Sequence, residues 1–438
     1  MNLKGQSIAV LGAGGSGLAA AELALACGAQ VDAFDSGSSE KLSAAVERFN
    51  GIGVTLRTGE AALAPTAHYD LTVMSPGISL LWPIARAFSD ASDELVGEIE
   101  FAFRANKAPI IAITGTNGKT TTTALITEML NGAGLKAVAA GNIGLPFSEV
   151  VRLGEVYDWV VLELSSFQLE TISSFSARIA IWLNFAPDHM DRYDSVEDYR
   201  AAKARLFMNR SDEAVAIVRK GVEIAPEWPQ IEFSAFEPES DYYYSDKEIC
   251  HLGSAERFDF SSCELQGRHN AENMMVALAV ADHLSIQREA IVPTLQAFLP
   301  PSHRCEKVGV KGGVTFVNDS KSTNLHSLES ALSSQDERVV LLVGGKEKGL
   351  DYSTLNELVS SKVKHAVCIG EVAPSILQHW SSLVSCEQAE NLAAATERGF
   401  AAASEGDVVL FSPGTSSFDM FSGYEARGDA FRDAVANL

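Results

Sequence analysis

The chain has 438 residues, 46% of them hydrophobic, and a formal net charge of −23. That length exceeds one ordinary core, so several domains are expected, and the apolar fraction excludes a disordered chain. The negative charge would repel a phosphate backbone and excludes non-specific nucleic-acid binding, so local donors have to catch any phosphate bound here.

Six cysteines (Cys27, Cys250, Cys263, Cys305, Cys368 and Cys386) are scattered without a C-x-x-C pair. This predicts reduced thiols in a cytoplasmic protein, not a disulfide frame or a zinc site. The N-terminus has no basic region followed by a clean apolar core, so no signal peptide is expected, and no stretch reads as a membrane span.

The first segment alternates strand and helix. "SIAVLGAG" reads as a buried strand, "GLAAAELALACG" as a helix closed by Gly28, and "VDAFDS" and "YDLTVMSPGI" as further strands. This βαβ pattern predicts a parallel sheet. "GAGGSG" places Gly12, Gly14 and Gly17 between strand and helix, and Asp35 ends the second strand. Such a turn lets backbone approach a diphosphate at a helix N-terminus. It fits NAD or FAD, another diphosphate ligand, or a purely structural turn. A domain boundary is expected near Gly97.

The second segment opens with "IIAITGTNGKTTTT", a strand, a glycine loop and a helix. The strict phosphate-loop pattern needs glycine five positions before Gly118, where Ile113 stands; the glycine comes late, at Gly115. The loop is therefore shortened, but its physics holds. Loop amides and the helix dipole cradle phosphates, Lys119 carries charge to them, and Thr120 can ligate magnesium. An ordinary turn with an exposed lysine is the alternative.

"DWVVLEL" sets Glu163 inside an apolar strand on the face of Val161 and Trp159. A buried carboxylate needs a partner, which is either a cation near the phosphate loop or a plain salt bridge. "NFAPDHMDRY" clusters Asp188, His189, Asp191 and Arg192 at the end of the next strand, where α/β sites lie; His189 could instead cap a local turn. The helix "VEDYRAAKARLF" sets Lys203 near Tyr199, Leu206 and Phe207, on or beside its apolar side, although such a lysine usually snorkels outward.

"PEWPQIEFSAFEPESDYYYSDKE" is expected to hold short antiparallel strands. Next comes the helix "NAENMMVALAVADHL", whose Asn270 and Asn273 could serve as N-caps. Pro300-Pro301 is the clearest linker signal. The third segment alternates again, with strands "GVTFVNDS", "RVVLLVGG", "HAVCIG" and "DVVLFSPG". Polar loops follow three of these strands, which suggests a binding face.

In this order, "TGTNGKTT", "GNIGLP", "LELSSFQLE", "DHMDRY", "YRAAKAR", "HNAEN", "HR", "NDSKSTN" and "SPGTSSFDMF" resemble the Mur ligase family over essentially the whole chain. "DHMDRY" and the "SPGTSSFDMF" loop are similar to the D-glutamate-adding members, and the Asp-Asn-Pro-Arg signature of the diaminopimelate-adding members is absent.

The resemblance implies an α/β fold of three domains: a Rossmann-like domain over 1–97 for the UDP-sugar, a P-loop ATPase-type domain over 98–301, and a Rossmann-like domain over 302–438 that contributes to the ATP and amino-acid sites. It implies an ATP-dependent amide ligase of cell-wall precursor synthesis. Its substrates would be UDP-N-acetylmuramoyl-L-alanine, D-glutamate and ATP, with Mg2+ as cofactor, no nucleic-acid or membrane partner, and a monomeric state.

By the same resemblance, Gly14, Gly15, Ser16, Asp35, Gly77 and Asn142 serve the UDP-sugar. Gly115, Thr116, Asn117, Gly118, Lys119, Thr120, Thr121, Asn273, Arg304 and Asp319 serve ATP. Asp188, Lys321, Thr323, Lys348, Ser417 and Tyr424 serve D-glutamate. Thr120, Glu163, His189 and Lys203, the last as N6-carboxylysine, hold the metal, and Lys119, His189 and Lys203 are catalytic. The competing readings are an NAD(P)-dependent oxidoreductase, which leaves "GTNGKTT" unexplained, a nucleotide-binding regulator without turnover, and a folylpolyglutamate-type ligase.

Overall fold

Apolar runs punctuated by glycine turns build three sheets. The computed structural model describes residues 1–438 except Asp191, Ala225, Pro300, Pro301 and Asp336. The proposed Pro300-Pro301 linker therefore lies outside the described residues.

The first sheet contains β1 (Ser7–Leu11), β2 (Gln30–Asp35), β3 (Leu56–Thr58), β4 (Leu71–Met74) and β5 (Leu95–Gly97) in the order β3-β2-β1-β4-β5. All its pairings are parallel. Alternation along β1 sends Ile8 and Val10 into one core and Ala9 and Leu11 into another, so both faces are covered.

The second sheet contains β6 (Ile110–Thr114), β7 (Ala137–Gly141), β8 (Trp159–Glu163), β9 (Ile179–Trp182), β10 (Val215–Arg219), β11 (Gln230–Ser234), β12 (Tyr242–Ser245), β13 (Glu248–His251) and β14 (Arg257–Asp259). Their order is β14-β13-β12-β11-β10-β9-β6-β8-β7. β6 lies between β8 and β9, so the chain runs away from it in both directions. The crevice beyond its C-terminal end is the usual place for a ligand. The segment expected to be antiparallel is so only in part. β11 pairs parallel with β10, and β12 with β11; the antiparallel pairings are β12–β13 and β13–β14.

The third sheet contains β15 (Glu306–Lys311), β16 (Val314–Asn318), β17 (Val339–Gly344), β18 (Val363–Ile369), β19 (Ser385–Gln388) and β20 (Val408–Phe411) in the order β15-β16-β20-β17-β18-β19. Sequence reading missed β15 and β19. Both are edge strands with interrupted apolar patterns, and β15 is the antiparallel one.

By contact the chain divides into two compact units, Met1–Ser262 with Glu272–Ala297, and Cys263–Ala271 with Phe298–Leu438. The first two sheets thus share a unit, and one core runs through both, from Val10 to Leu162 and Trp182. The segment at the expected Gly97 boundary is bonded into the second sheet's surroundings. Glu98 accepts from the amide of Ser148, and the fully buried Glu100 accepts from the amides of Ser173, Ser174 and Phe175. Among the described residues no helix is long and apolar enough to cross a membrane, and all six cysteines are free thiols.

Candidate active site

The strand β6 ends at Thr114, and the helix Lys119–Gly132 begins five residues later. Gly118 at φ +81° is the N-cap, and a Cβ there would come within 2.8 Å of Asn273 Oδ1. Both the backbone conformation and the close approach require glycine. Asn273 is buried and accepts from Thr122 Oγ1 at 3.0 Å, so it braces the first turn of the loop helix. It lies inside the helix Arg268–His283, not at its cap.

The rest of the loop is anchored to the segment after β9. Asn117 N donates to Asn184 Oδ1 at 2.9 Å, and Thr116 Oγ1 donates to Ala186 O at 3.0 Å. Lys119 Nζ folds back to the carbonyls of Gly115 and Thr116, at 2.9 and 2.7 Å. The loop therefore curls round a cation at the positive end of a helix. Thr120 is half-buried and Thr121 buried on the first turn of this helix.

Lys203 is 2% exposed, not snorkelled, and donates to the Gly115 carbonyl at 2.9 Å. Its amine sits 4.6 Å from the centre of the Tyr199 ring. Burial drives its pKa well below the usual lysine range, and the charge of Lys119 pushes it the same way, while Asp188 and Glu163 oppose them. Sequence-predicted residues from four separate elements thus share one electrostatic neighbourhood.

Glu163 at the end of β8 is also 2% exposed. Its Oε1 accepts from Asn142 Nδ2 at 2.8 Å, and its Oε2 is buried with no hydrogen-bond partner among the described residues. The partner of the predicted buried carboxylate is thus an amide, with one oxygen left over. Asn142, grouped by sequence with the UDP-sugar residues, directs its side chain to this carboxylate. His189 stands at φ +58°, its ring edge-on to Phe167 at 4.9 Å, and its amide donates to Asp188 Oδ1 at 2.9 Å.

In the first sheet, the glycine turn leads into the helix Gly15–Ala26, with Gly14 as an extended N-cap and Ser16 in the first turn. Asp35 is fully engaged by the backbone. Its two oxygens accept from the amides of Ala13 and Gly37, each at 2.8 Å, so it holds the turn in shape. A Cβ added at Gly14 or Gly77 would meet nothing within 4 Å, and one at Gly15 would only touch Pro146, so these backbone positions face open space.

In the second unit, Asp319 follows β16 and is buried, accepting from Cys305 N and Ser412 Oγ. Burial pushes its pKa up to about 6, and these two donors, with the charge of Arg304, hold it from rising further. Lys321 lies 3.5 Å from the centre of the Tyr424 ring. Ser417 is buried, Thr323 half-buried and Lys348 exposed.

Sequence reasoning missed Arg427, which organises these loops. It is fully buried and donates to Ser320 Oγ, Ser320 O and Thr415 O. A signal was available: Arg427, Phe431 and Val435 recur at helical spacing on the buried face of Tyr424–Ala436.

The Mur ligase middle domain matches residues 113–281, and the Mur ligase, glutamate ligase domain matches residues 303–414. A UDP-N-acetylmuramoylalanine–D-glutamate ligase of Geobacter metallireducens is 36% identical over 452 residues, covering 100% of this chain and 99% of that protein. The ligase of the same name from Syntrophotalea carbinolica is 38% identical over 443 residues, covering 99% and 98%. Among solved structures, the UDP-N-acetylmuramate-alanine ligase of Thermotoga maritima superposes with a TM-score of 0.64 at 18% identity, covering 99% of each chain. A D-alanyl-D-alanyl-adding ligase of Acinetobacter baumannii gives 0.61 at 16%, covering 93% and 90%. At those identities the two structures show a shared fold. The full-length relatives and the two matched domains show that this chain belongs to the Mur ligase family.

Proposed function

We propose that the protein is an ATP-dependent amide ligase that joins D-glutamate to UDP-N-acetylmuramoyl-L-alanine in peptidoglycan precursor synthesis. The observation that carries this reading is full-length similarity, at 36–38% identity, to relatives that bear that name. The reading includes three domains, over 1–97, 98–301 and 302–438, and a cytoplasmic monomer that works on small molecules.

A carboxylate is a poor electrophile. The γ-phosphoryl group of ATP passes to the alanyl carboxylate oxygen, ADP leaves, and an acyl phosphate results. The amine of D-glutamate attacks its carbonyl carbon, phosphate departs with the C–O bond electrons, and the nitrogen gives up one proton to the departing phosphate or to water as the amide forms. Both steps gather negative charge, so fixed cations and amides lower the barrier.

Lys119 is held at the loop by two carbonyls, which keeps its charge beside the phosphates. The amides from Gly115 to Thr121 cradle those phosphates. Asn273, Arg304 and Asp319 serve the nucleotide, and Gly14, Gly15, Ser16, Asp35 and Gly77 the uridine diphosphate. Asp188, Lys321, Thr323, Lys348, Ser417 and Tyr424 serve D-glutamate.

Magnesium, when bound, neutralises charge on the transferring phosphoryl group. The residues fit a cation. Glu163 has one buried oxygen without a donor among the described residues, and Thr120 and His189 offer oxygen and nitrogen. Among the described residues, no group of three or more His, Cys, Asp or Glu could hold a metal ion. Lys203, converted by carbon dioxide to a carbamate, adds the missing anionic oxygens, and its depressed pKa favours the neutral amine that this reaction needs.

The test is to incubate the protein with UDP-N-acetylmuramoyl-L-alanine, ATP, magnesium and D-glutamate, and to weigh the uridine nucleotide by mass spectrometry. A gain of one glutamyl residue supports the reading, and an unchanged nucleotide overturns it.

A further inference from the structure

We infer that Arg192 is a positioning residue that couples the glycine turn of the first sheet to the His189 segment, so that seating the uridine nucleotide also sets the reacting end of the site. This inference rests on the assignment of that turn to the uridine nucleotide.

The contacts form a continuous path. A Cβ at Gly12 would come within 2.7 Å of Ser75 Oγ, and one at Gly17 within 3.1 Å, so the turn after β4 packs directly on the glycine turn. Arg192 NH2 donates to the carbonyl of Ile78 at 3.3 Å, and NH1 reaches that of Pro76 at 3.5 Å. The same guanidinium pairs with Glu170 Oε2 at 2.7 Å and stacks 4.3 Å from the centre of the Phe167 ring. Phe167 carries His189 on its edge, and Arg192 N closes a backbone turn onto the His189 carbonyl at 3.0 Å.

The chemistry suits arginine and not lysine. One planar fork serves two carbonyls and a carboxylate while its face lies on an aromatic ring; an ammonium can do only part of this. The Arg192 and Glu170 side chains are 13% and 17% exposed, so solvent and salt screen the pair little. Tyr193 Oη donates to the other oxygen of Glu170 at 2.5 Å, which fixes the acceptor.

The experiment uses R192K and E170Q in the full chain, with steady-state kinetics for each substrate and thermal melting. E170Q keeps the side-chain shape and carries the test should R192K fail to fold. With melting unchanged, each variant is expected to raise KM for UDP-N-acetylmuramoyl-L-alanine about tenfold, the scale of one charge-assisted hydrogen bond. Each is also expected to lower kcat and to leave KM for ATP unmoved. The double variant should be little worse than either single one, since the two side chains act as a pair. An unchanged KM for the uridine nucleotide, or KM values for all three substrates rising together, overturns the inference. A wild-type protein that does not use this nucleotide at all fails the proposed function instead.

Discussion

Lys203 Nζ and Lys119 Nζ both donate to the carbonyl oxygen of Gly115, each at 2.9 Å. Two lysines on one buried acceptor is an arrangement that repulsion opposes unless one amine is neutral or changes charge. The proposed carbamate at Lys203 would resolve it, because the modified side chain would attract Lys119 and magnesium alike.

Lys203→Ala should therefore lose ligase activity, and short carboxylic acids such as formate or acetate should partly restore it by supplying oxygens near Glu163. Activity of the wild type should fall in buffers purged of carbon dioxide and recover on adding bicarbonate. An active alanine variant, indifferent to added acids, contradicts the role.

Lys119→Ala should fold and melt as the wild type does, because the amine's bonds to Gly115 O and Thr116 O lie within the loop itself and tie no distant segment. Turnover should drop about 10²–10³-fold, the usual loss for one donor that stabilises transition-state charge. Near-normal turnover in a folded variant would remove Lys119 from the chemistry.

Glu100 makes a prediction about stability and pH. Burial alone would raise its pKa, but the Ser174 hydroxyl, the amides of Ser173 and Ser174, and Arg104 bring it down from 4.5 to about 2. A depressed carboxylate stabilises the fold above its unfolded pKa and loses that contribution as pH falls through the folded value. Glu100→Gln should thus cost roughly 3 kcal/mol at neutral pH. Denaturant titrations should show the gap to wild type closing between about pH 4.5 and 2. A gap that is constant with pH would mean that the ionised carboxylate is not the stabilising form.

The two glycine loops make separate predictions. Calorimetry should show the uridine sugar nucleotide binding the protein while NAD does not, since a separate phosphate loop at Gly115–Thr121 is there for ATP and leaves the first glycine turn to the uridine nucleotide. Micromolar NAD binding would return the first sheet to the oxidoreductase reading.

The parallel sheets were legible because their strands are apolar runs closed by glycine, as in "IIAITG" and "RVVLLVGG". The phosphate loop was legible for the same reason; for Lys203 helical spacing left burial and outward snorkelling both open, and only the family resemblance singled it out. Other features left no such trace. The parallel pairing of β11 and β12 depends on tertiary contacts in a segment whose alternation suits either direction. β15 and β19 are edge strands with half-polar patterns. The first two sheets share one core, and Glu98 and Glu100 bond across the join to partners 50 and 73–75 residues along the chain. Such pairs cannot be read from local pattern. Arg427 looks like a surface charge until its helical neighbours Phe431 and Val435 are counted with it.

The most direct test of the central claim is the rate of phosphate release from ATP with magnesium and UDP-N-acetylmuramoyl-L-alanine, measured with D-glutamate, L-glutamate, L-lysine, diaminopimelate or no amino acid. The account predicts release that depends on both the uridine nucleotide and D-glutamate, with the other amino acids at the level of the blank. Release driven by L-lysine or diaminopimelate, or none with D-glutamate, would contradict it.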